Sequence, residues 1–175
     1  RIKRGRAVYD LVTKDPLSGL LNRRESIRRL EEEISRSRRK NIPLSVAMVD
    51  LDHFKKINDT LGHSVGDWVI KFFARSMQLI FRECDIIGRY GGEEFIIIFP
   101  DTLPESAQMA CKRLKKYIIA STHDLPTSFT YSGGIALLND QDDSKTILER
   151  ADIALYKAKE KGRNKVITAT DNPTH

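Results

Sequence analysis

Residues 85–90 read Asp-Ile-Ile-Gly-Arg-Tyr, 91–95 read Gly-Gly-Glu-Glu-Phe and 96–99 read Ile-Ile-Ile-Phe. Two β-branched runs joined by Gly91-Gly92 predict a hairpin whose turn needs positive φ, which glycine adopts without a Cβ penalty. A hairpin does not require Glu93 and Glu94 side by side at its exit. Adjacent carboxylates repel unless solvent or a cation compensates them. Taken alone, the pentapeptide reads equally well as a solvated turn with surface glutamates. A second acidic strand end changes that reading. The apolar run 44–49 terminates in Asp50-Leu51-Asp52. If the two strands are neighbours, Asp50 and Glu93 converge at one rim of a sheet. Paired hard oxygen ligands there suit Mg²⁺, which takes one or two carboxylates and leaves room for phosphate oxygens.

The rest of the chain fills in around these segments. Ile27, Leu30 and Ile34 recur at helical spacing between 24 and 40, and Pro43 separates that helix from the strand 44–50. A second helix is predicted over 65–81, with Ser64 as its cap and Asp67 in an acidic first turn. Pro100 ends the hairpin, Pro104 and Glu105 open a helix to about 119, 128–138 reads as a strand, and 144–161 as a helix ended by Gly162. A short strand over 165–168 closes the order. Strand, helix, hairpin, helix, strand, helix, strand is an α+β arrangement with a central mixed, mainly antiparallel sheet flanked by helices, consistent with a ferredoxin-like core. Residues 1–14 read as the end of a linker helix, 15–168 as one domain and 169–175 as a disordered tail.

At 175 residues the chain suits one domain with a proper core. No apolar stretch reaches membrane-spanning length and no signal-peptide pattern opens it. A start without Met is read as the interior of a longer protein. Cys84 and Cys111 lack metal-ligand spacing or a disulfide framework, so a reduced, cytoplasmic setting is expected. The net charge of +6 favours anionic partners. Much of the excess sits at 1–6 and 36–40, and the second run complements a helix C-terminus. Nucleic acid is not expected as a partner, because no zinc finger, RNA-binding sheet signature or aromatic-interleaved basic groove is present.

Several motifs in order resemble the GGDEF family, the catalytic module of diguanylate cyclases. Asp15-Pro16-Leu17-Ser18-Gly19-Leu20-Leu21-Asn22-Arg23-Arg24 is similar to the family's opening signature, with Ser18 where Thr is usual. Residues 50–59 with 62–67 match its central signature, and 151–159 with 162–164 its closing one. The resemblance spans roughly 15–168. It implies a palm-type nucleotide cyclase fold that condenses two GTP into cyclic di-GMP and two pyrophosphates, acting as a symmetric homodimer with product inhibition. It implies Mg²⁺, with Mn²⁺ as a substitute, held by Asp50, the Leu51 carbonyl and Glu93. Glu93, or else Glu94, accepts the proton of the attacking 3′-hydroxyl.

The same resemblance carries over the substrate contacts. Asn58 and Asp67 suit the guanine edge, because a carboxylate accepts from its N–H donors and an amide pairs with its acceptors. His63 either touches substrate or shapes the turn before the helix. Leu17 lines the base pocket or belongs to the core. The loop around Phe54 and Lys55 aims N–H groups at phosphate, and Lys159 and Arg163 are additional triphosphate ligands. Arg82-Glu83-Cys84-Asp85 resembles the family's inhibitory Arg-x-x-Asp site, with Arg113 beside it. The alternative for that tetrapeptide is a solvated helix end. Gly133 stands where the family usually has a β-branched residue, which predicts looser packing or a bulge. An inactive receptor for GTP or cyclic di-GMP is the alternative function, and membrane contact would come only through an upstream region.

Overall fold

A computed structural model describes residues 2–170. Its strands are β1 (Leu44–Leu51), β2 (Ile86–Arg89), β3 (Glu94–Pro100), β4 (Tyr131–Leu137) and β5 (Val166–Thr168). They form one five-stranded sheet in the order β2-β3-β1-β4-β5. All pairs are antiparallel except β4 with β5. The helices are α1 (Ile2–Thr13), α2 (Arg23–Lys40), α3 (Phe54–Leu61), α4 (His63–Ile80), α5 (Pro104–Ser121) and α6 (Ser144–Glu160).

Both faces of the sheet are covered, which is why its central strands are continuous apolar runs instead of alternating ones. Ala47, Val49, Phe95, Ile97 and Ile135 pack with Phe73, Met77 and Leu114 of α4 and α5. Val46, Met48, Ile96 and Ile98 pack with Leu30, Ile34, Ile147 and Leu155 of α2 and α6. The pairing of β1 with β3 sets Asp50 opposite Glu94. One step further, the Leu51 N–H donates to the Glu93 carbonyl at 3.1 Å. The two acidic strand ends therefore meet at one rim.

Local structure departs from the sequence reading in four places. Phe54 and Lys55, expected in a loop, open a helix, α3, that runs over 54–61. Ser64 does not cap α4. That helix starts at His63 after Gly62, whose φ of 91° no L-residue adopts easily, and Asp67 lies beyond the first turn. Neither Gly91 nor Gly92 takes positive φ; among the glycines of the described residues Gly19, Gly62 and Gly162 do. The 90–94 loop is instead held by Tyr90 and Gly91 N–H groups donating to the Glu94 carbonyl. Gly133 causes no bulge: it pairs with Val49 on one side and Val166 on the other. A Cβ there would come within 2.9 Å of Val49 and 3.2 Å of Val166, so neighbouring valines fill the space a side chain would take.

The helix ends are well specified. Asn22 caps α2 by accepting from the Glu25 N–H, and Asp143 caps α6 in a reciprocal box with Thr146. Past β5 the Ala169 N–H donates to the Ile135 carbonyl at 2.6 Å. The segment 171–175, read from sequence as part of a disordered tail, lies outside the described residues.

Candidate active site

Asp50, next to last in β1, lies almost out of solvent, 6 % exposed. Its Oδ2 accepts from the Lys159 ammonium of α6, while Oδ1 is buried with no hydrogen-bond partner. An unpartnered buried carboxylate oxygen is costly unless something outside the chain completes it. Burial, and secondarily the Asp52 charge, holds the Asp50 carboxyl above the usual carboxylate range, even against the Lys159 ammonium. Glu93 is raised as well, by burial first and then by the Asp50 and Glu94 charges. A divalent cation would reverse both effects. Among the described residues no cluster of three or more His, Cys, Asp or Glu side chains forms an all-protein cage. A carboxylate pair with a free oxygen fits an ion that keeps water and phosphate oxygens in its shell, which is the chemistry of Mg²⁺.

A pocket of about 200 Å³ opens beside this pair and gathers Asp50, Leu51, Phe54, Lys55 and Glu93. Lys159 and Arg163 reach its rim from the other side. The structure thus brings the predicted metal ligands and phosphate ligands together. α3 begins at the pocket after His53, which has φ 53° and makes no side-chain cap bond. The first-turn N–H groups of such a helix lack intrahelical acceptors and carry its positive dipole end.

Arg163 is carried by the turn at Gly162, whose left-handed continuation the sequence does not announce. α6 closes in a Schellman arrangement, with the Arg163 N–H donating to Ala158 O at 3.0 Å and Gly162 N–H to Lys159 O. Positive φ does not stop at Gly162 (104°); Arg163 (63°) and Asn164 (52°) continue it. Left-handed conformations at non-glycine residues cost on the order of 1–3 kcal/mol each and persist only where surroundings dictate them. Here Asp52, Ser132 and Lys115 do so. The Asn164 N–H donates to Asp52 Oδ2 at 3.0 Å and shares Ser132 Oγ at 3.1 Å, and Lys115 Nζ donates to Asn164 O at 2.9 Å. Asp52 is itself buried and also accepts from Thr130 Oγ1 (2.7 Å) and Ser132 Oγ (2.6 Å).

Asn58, His63, Asp67 and Leu17 do not line that pocket. Asn58 lies on α3, and His63 and Asp67 are exposed on the first turns of α4. The two helices press together at Gly66, where a Cβ would fall 1.8 Å from the Asn58 Oδ1. Only glycine there leaves room for the Asn58 amide. Leu17 is half-buried against the core.

Arg82, Asp85 and Arg113 line a separate cavity of about 430 Å³ with Thr102 and Asp101. Arg82 donates to Asp85 Oδ1 at 3.1 Å and to Thr102 Oγ1 at 2.6 Å, and its N–H donates to Asp85 Oδ2 at 2.8 Å. The Asp85 side chain is 2 % exposed and that of Arg82 52 %, so this is a built ion pair with one open face.

Arg89 is a further residue that the sequence reading passed over. Its Nε and Nη2 donate to the Gly92 carbonyl at 3.0 and 2.7 Å, and its Nη1 to both Asp15 oxygens at 3.1 and 3.2 Å. Asp15 also accepts from the Ser18 N–H and hydroxyl, both at 2.7 Å. Against the effect of its burial, those Ser18 bonds and the Arg89 guanidinium keep the Asp15 carboxyl below the usual range. Asp15 and Arg89 each carry a visible motif-like setting, but nothing in a single sequence couples positions so far apart.

Comparison with known proteins places the chain in a family. Diguanylate cyclase DgcP of Pseudomonas aeruginosa is 40 % identical over 158 residues, covering 89 % of this chain and 24 % of the relative. Response regulator PleD of Caulobacter vibrioides is 37 % identical over 164 residues, 90 % of this chain and 36 % of its own length. The chain thus spans less than half of these relatives. Among solved structures, the GGDEF domain of DgcB from Caulobacter crescentus in complex with c-di-GMP superposes with a TM-score of 0.85 at 31 % identity, covering 91 % of this chain and 94 % of that one. The active GGEEF domain of a diguanylate cyclase from Vibrio cholerae gives 0.81 at 34 % identity, over 87 % and 99 %. The profile of the family described as "Diguanylate cyclase, GGDEF domain" matches residues 12–165, and the chain belongs to that family.

Proposed function

We propose that this chain condenses two GTP molecules into cyclic di-GMP and two pyrophosphates, with two copies of the domain facing each other. The observation that carries the proposal is the free, buried Asp50 Oδ1 beside Glu93, at the mouth of a pocket lined by Lys55, Lys159 and Arg163. Asp50, Glu93 and the Leu51 carbonyl would hold Mg²⁺ or Mn²⁺, which would polarise the hydroxyl and neutralise phosphate charge.

The chain's own residues do the rest. Lys159, together with Arg163 and Lys55, takes the triphosphate oxygens from the rim of the pocket that they share. The first-turn N–H groups of α3 receive phosphate oxygens. Asn58 and Asp67 take the guanine edge; adenine would leave the Asp67 acceptor unsatisfied. His63 and Leu17 border the base. Each bound 3′-hydroxyl attacks the α-phosphorus held by the opposite domain, its proton passing to Glu93 or Glu94 as the bond to pyrophosphate breaks. Reciprocal attack requires a symmetric pair. The Arg82–Asp85 pair with Arg113 takes guanine from cyclic di-GMP as an inhibitory site, since Arg grips the guanine acceptor edge bidentately. Among the described residues no helix is long and apolar enough to cross a membrane, and a nucleotide substrate suits a cytoplasmic setting.

The test is incubation with GTP and Mg²⁺, assaying cyclic dinucleotide and pyrophosphate, for wild type, Asp50→Asn and Glu93→Gln. Turnover in wild type lost in both variants is expected. Undiminished turnover in both would remove the metal site, and cyclic di-GMP binding without any turnover would favour the receptor reading.

A further inference from the structure

We infer that Asp52 is a positioning residue for triphosphate recognition: its buried carboxylate holds the left-handed turn that presents Arg163 to the phosphate pocket. The inference rests on the assignment of Arg163 to the triphosphate. Three observations carry it. Arg163 and Asn164 stand at φ 63° and 52°, a conformation that side chains avoid unless it is imposed. The Asn164 N–H donates to Asp52 Oδ2 and Ser132 Oγ. Asp52 is fixed from β4 and the segment before it by Ser132 and Thr130, so the turn is registered on the sheet and not merely on α6.

Asp52 lines the same pocket as Asp50 and Arg163. A carboxylate beside an anion site would repel the anion, so simple electrostatics predicts tighter triphosphate binding once it is removed. The turn predicts the reverse. Without Asp52 the Asn164 N–H keeps only its longer bond to Ser132, and residues 163 and 164 relax toward ordinary φ. Arg163 then leaves the pocket rim. Asparagine at 52 would still accept from the Asn164 N–H through Oδ1, while its amide donates to Ser132 Oγ. The geometry survives although the charge does not.

Calorimetry in Mg²⁺ with two probes tests this: GMP, and a GTP analogue whose α–β bridge is a methylene group and which cannot release pyrophosphate. Asp52→Ala should lose triphosphate affinity by on the order of tenfold, as for one hydrogen bond to a charged acceptor, with GMP affinity changed less than about twofold. Asp52→Asn should recover most of the loss. In an Arg163→Gln background Asp52→Ala should have no further effect, because the two act as one unit. Ser132→Ala, a smaller change, runs in the same series in case Asp52→Ala does not fold, and should give a partial loss with the same dependence on Arg163. Equal losses for both probes, losses that add in the double variant, or unchanged triphosphate affinity in a folded Asp52→Ala would each overturn the positioning role. Wild type with no preference for the triphosphate would overturn the functional reading itself, a distinct result.

Discussion

Gly134→Ala offers a measurement that depends on the fold and on no assumption about chemistry. Gly134 lies on β4 under α6. A Cβ there would sit 2.1 Å from Ala151 O, 2.3 Å from Leu155 N and 2.9 Å from Ala154 C, all of them backbone atoms of the helix. No rotamer change relieves such contacts. α6 must retreat by roughly 1–1.5 Å to restore van der Waals separation. Ile147, Leu148, Ala151 and Leu155 are buried between α6 and the sheet, and they would lose contact together. Overpacking a core costs about 1–3 kcal/mol, and an immovable partner puts this case near ~3 kcal/mol. For a domain of this size each kcal/mol shifts Tm by about 2–4 °C, so thermal unfolding should fall by ~6–12 °C. Gly92→Ala is the control. Nothing lies within 4 Å of its Cβ and its φ is unremarkable, so its Tm should stay within about 2 °C of wild type. Because Lys159 rides on α6, Gly134→Ala should also raise KM for GTP. A Gly134→Ala protein that melts within about 2 °C of wild type would refute the packing argument.

Further predictions concern charge and shape. Without divalent cation, Glu93→Gln should raise Tm, since burial and the Asp50 and Glu94 charges penalise the ionised Glu93. Its pKa is higher folded than unfolded, so the penalty is full above the folded value and is relieved as pH falls through it. The Tm gap between the two proteins should accordingly shrink on acidification, and a gap that widens would contradict the assignment. Arg82→Ala should weaken cyclic di-GMP binding by about 1–3 kcal/mol, measured by calorimetry with Glu93 neutralised in both proteins. Leu30→Ala, at a site with no exposure, should cost ~2–5 kcal/mol in denaturant unfolding. Arg89→Gln should lower turnover and destabilise by ~1.5–3 kcal/mol, because it strips a charged partner from Asp15; unchanged turnover would mean that the Gly91-Gly92 loop holds its shape unaided.

How much of this was legible in the sequence follows from where the determinants lie. Apolar runs at 44–49 and 96–99 announce strands, and acidic residues beside them announce the rim, because both signals are local. Pro43, Pro100 and Gly162 marked boundaries through their own backbone limits. The failures share a cause. The turn at Gly91-Gly92 was expected to use glycine's freedom of φ, but backbone bonds from residues 90 and 91 to Glu94 and the grip of Arg89 shape the loop without it. Positive φ appears instead at His53, Arg163 and Asn164, and at Asn164 it is held by bonds to Asp52, Ser132 and Lys115 from distant parts of the chain. Gly133 stands out in the sequence, whereas its neighbour Gly134 is the one pressed by backbone atoms, those of α6, which is distant in sequence. Asp52 passed unassigned because its partners at 130, 132 and 164 are invisible until the chain folds.

The Asp15–Arg89–Gly92 bridge has a consequence for protein engineering. The pentapeptide at 91–95 looks portable: short, surface-placed and bounded by strands. Yet its second carbonyl is held by an arginine that in turn leans on a carboxylate 74 positions earlier in the chain. Grafting the five residues onto another hairpin would transfer the letters without the brace. The smallest transferable unit therefore includes Asp15, Ser18 and Arg89, and exchange of this loop between related domains should succeed only when those positions travel with it.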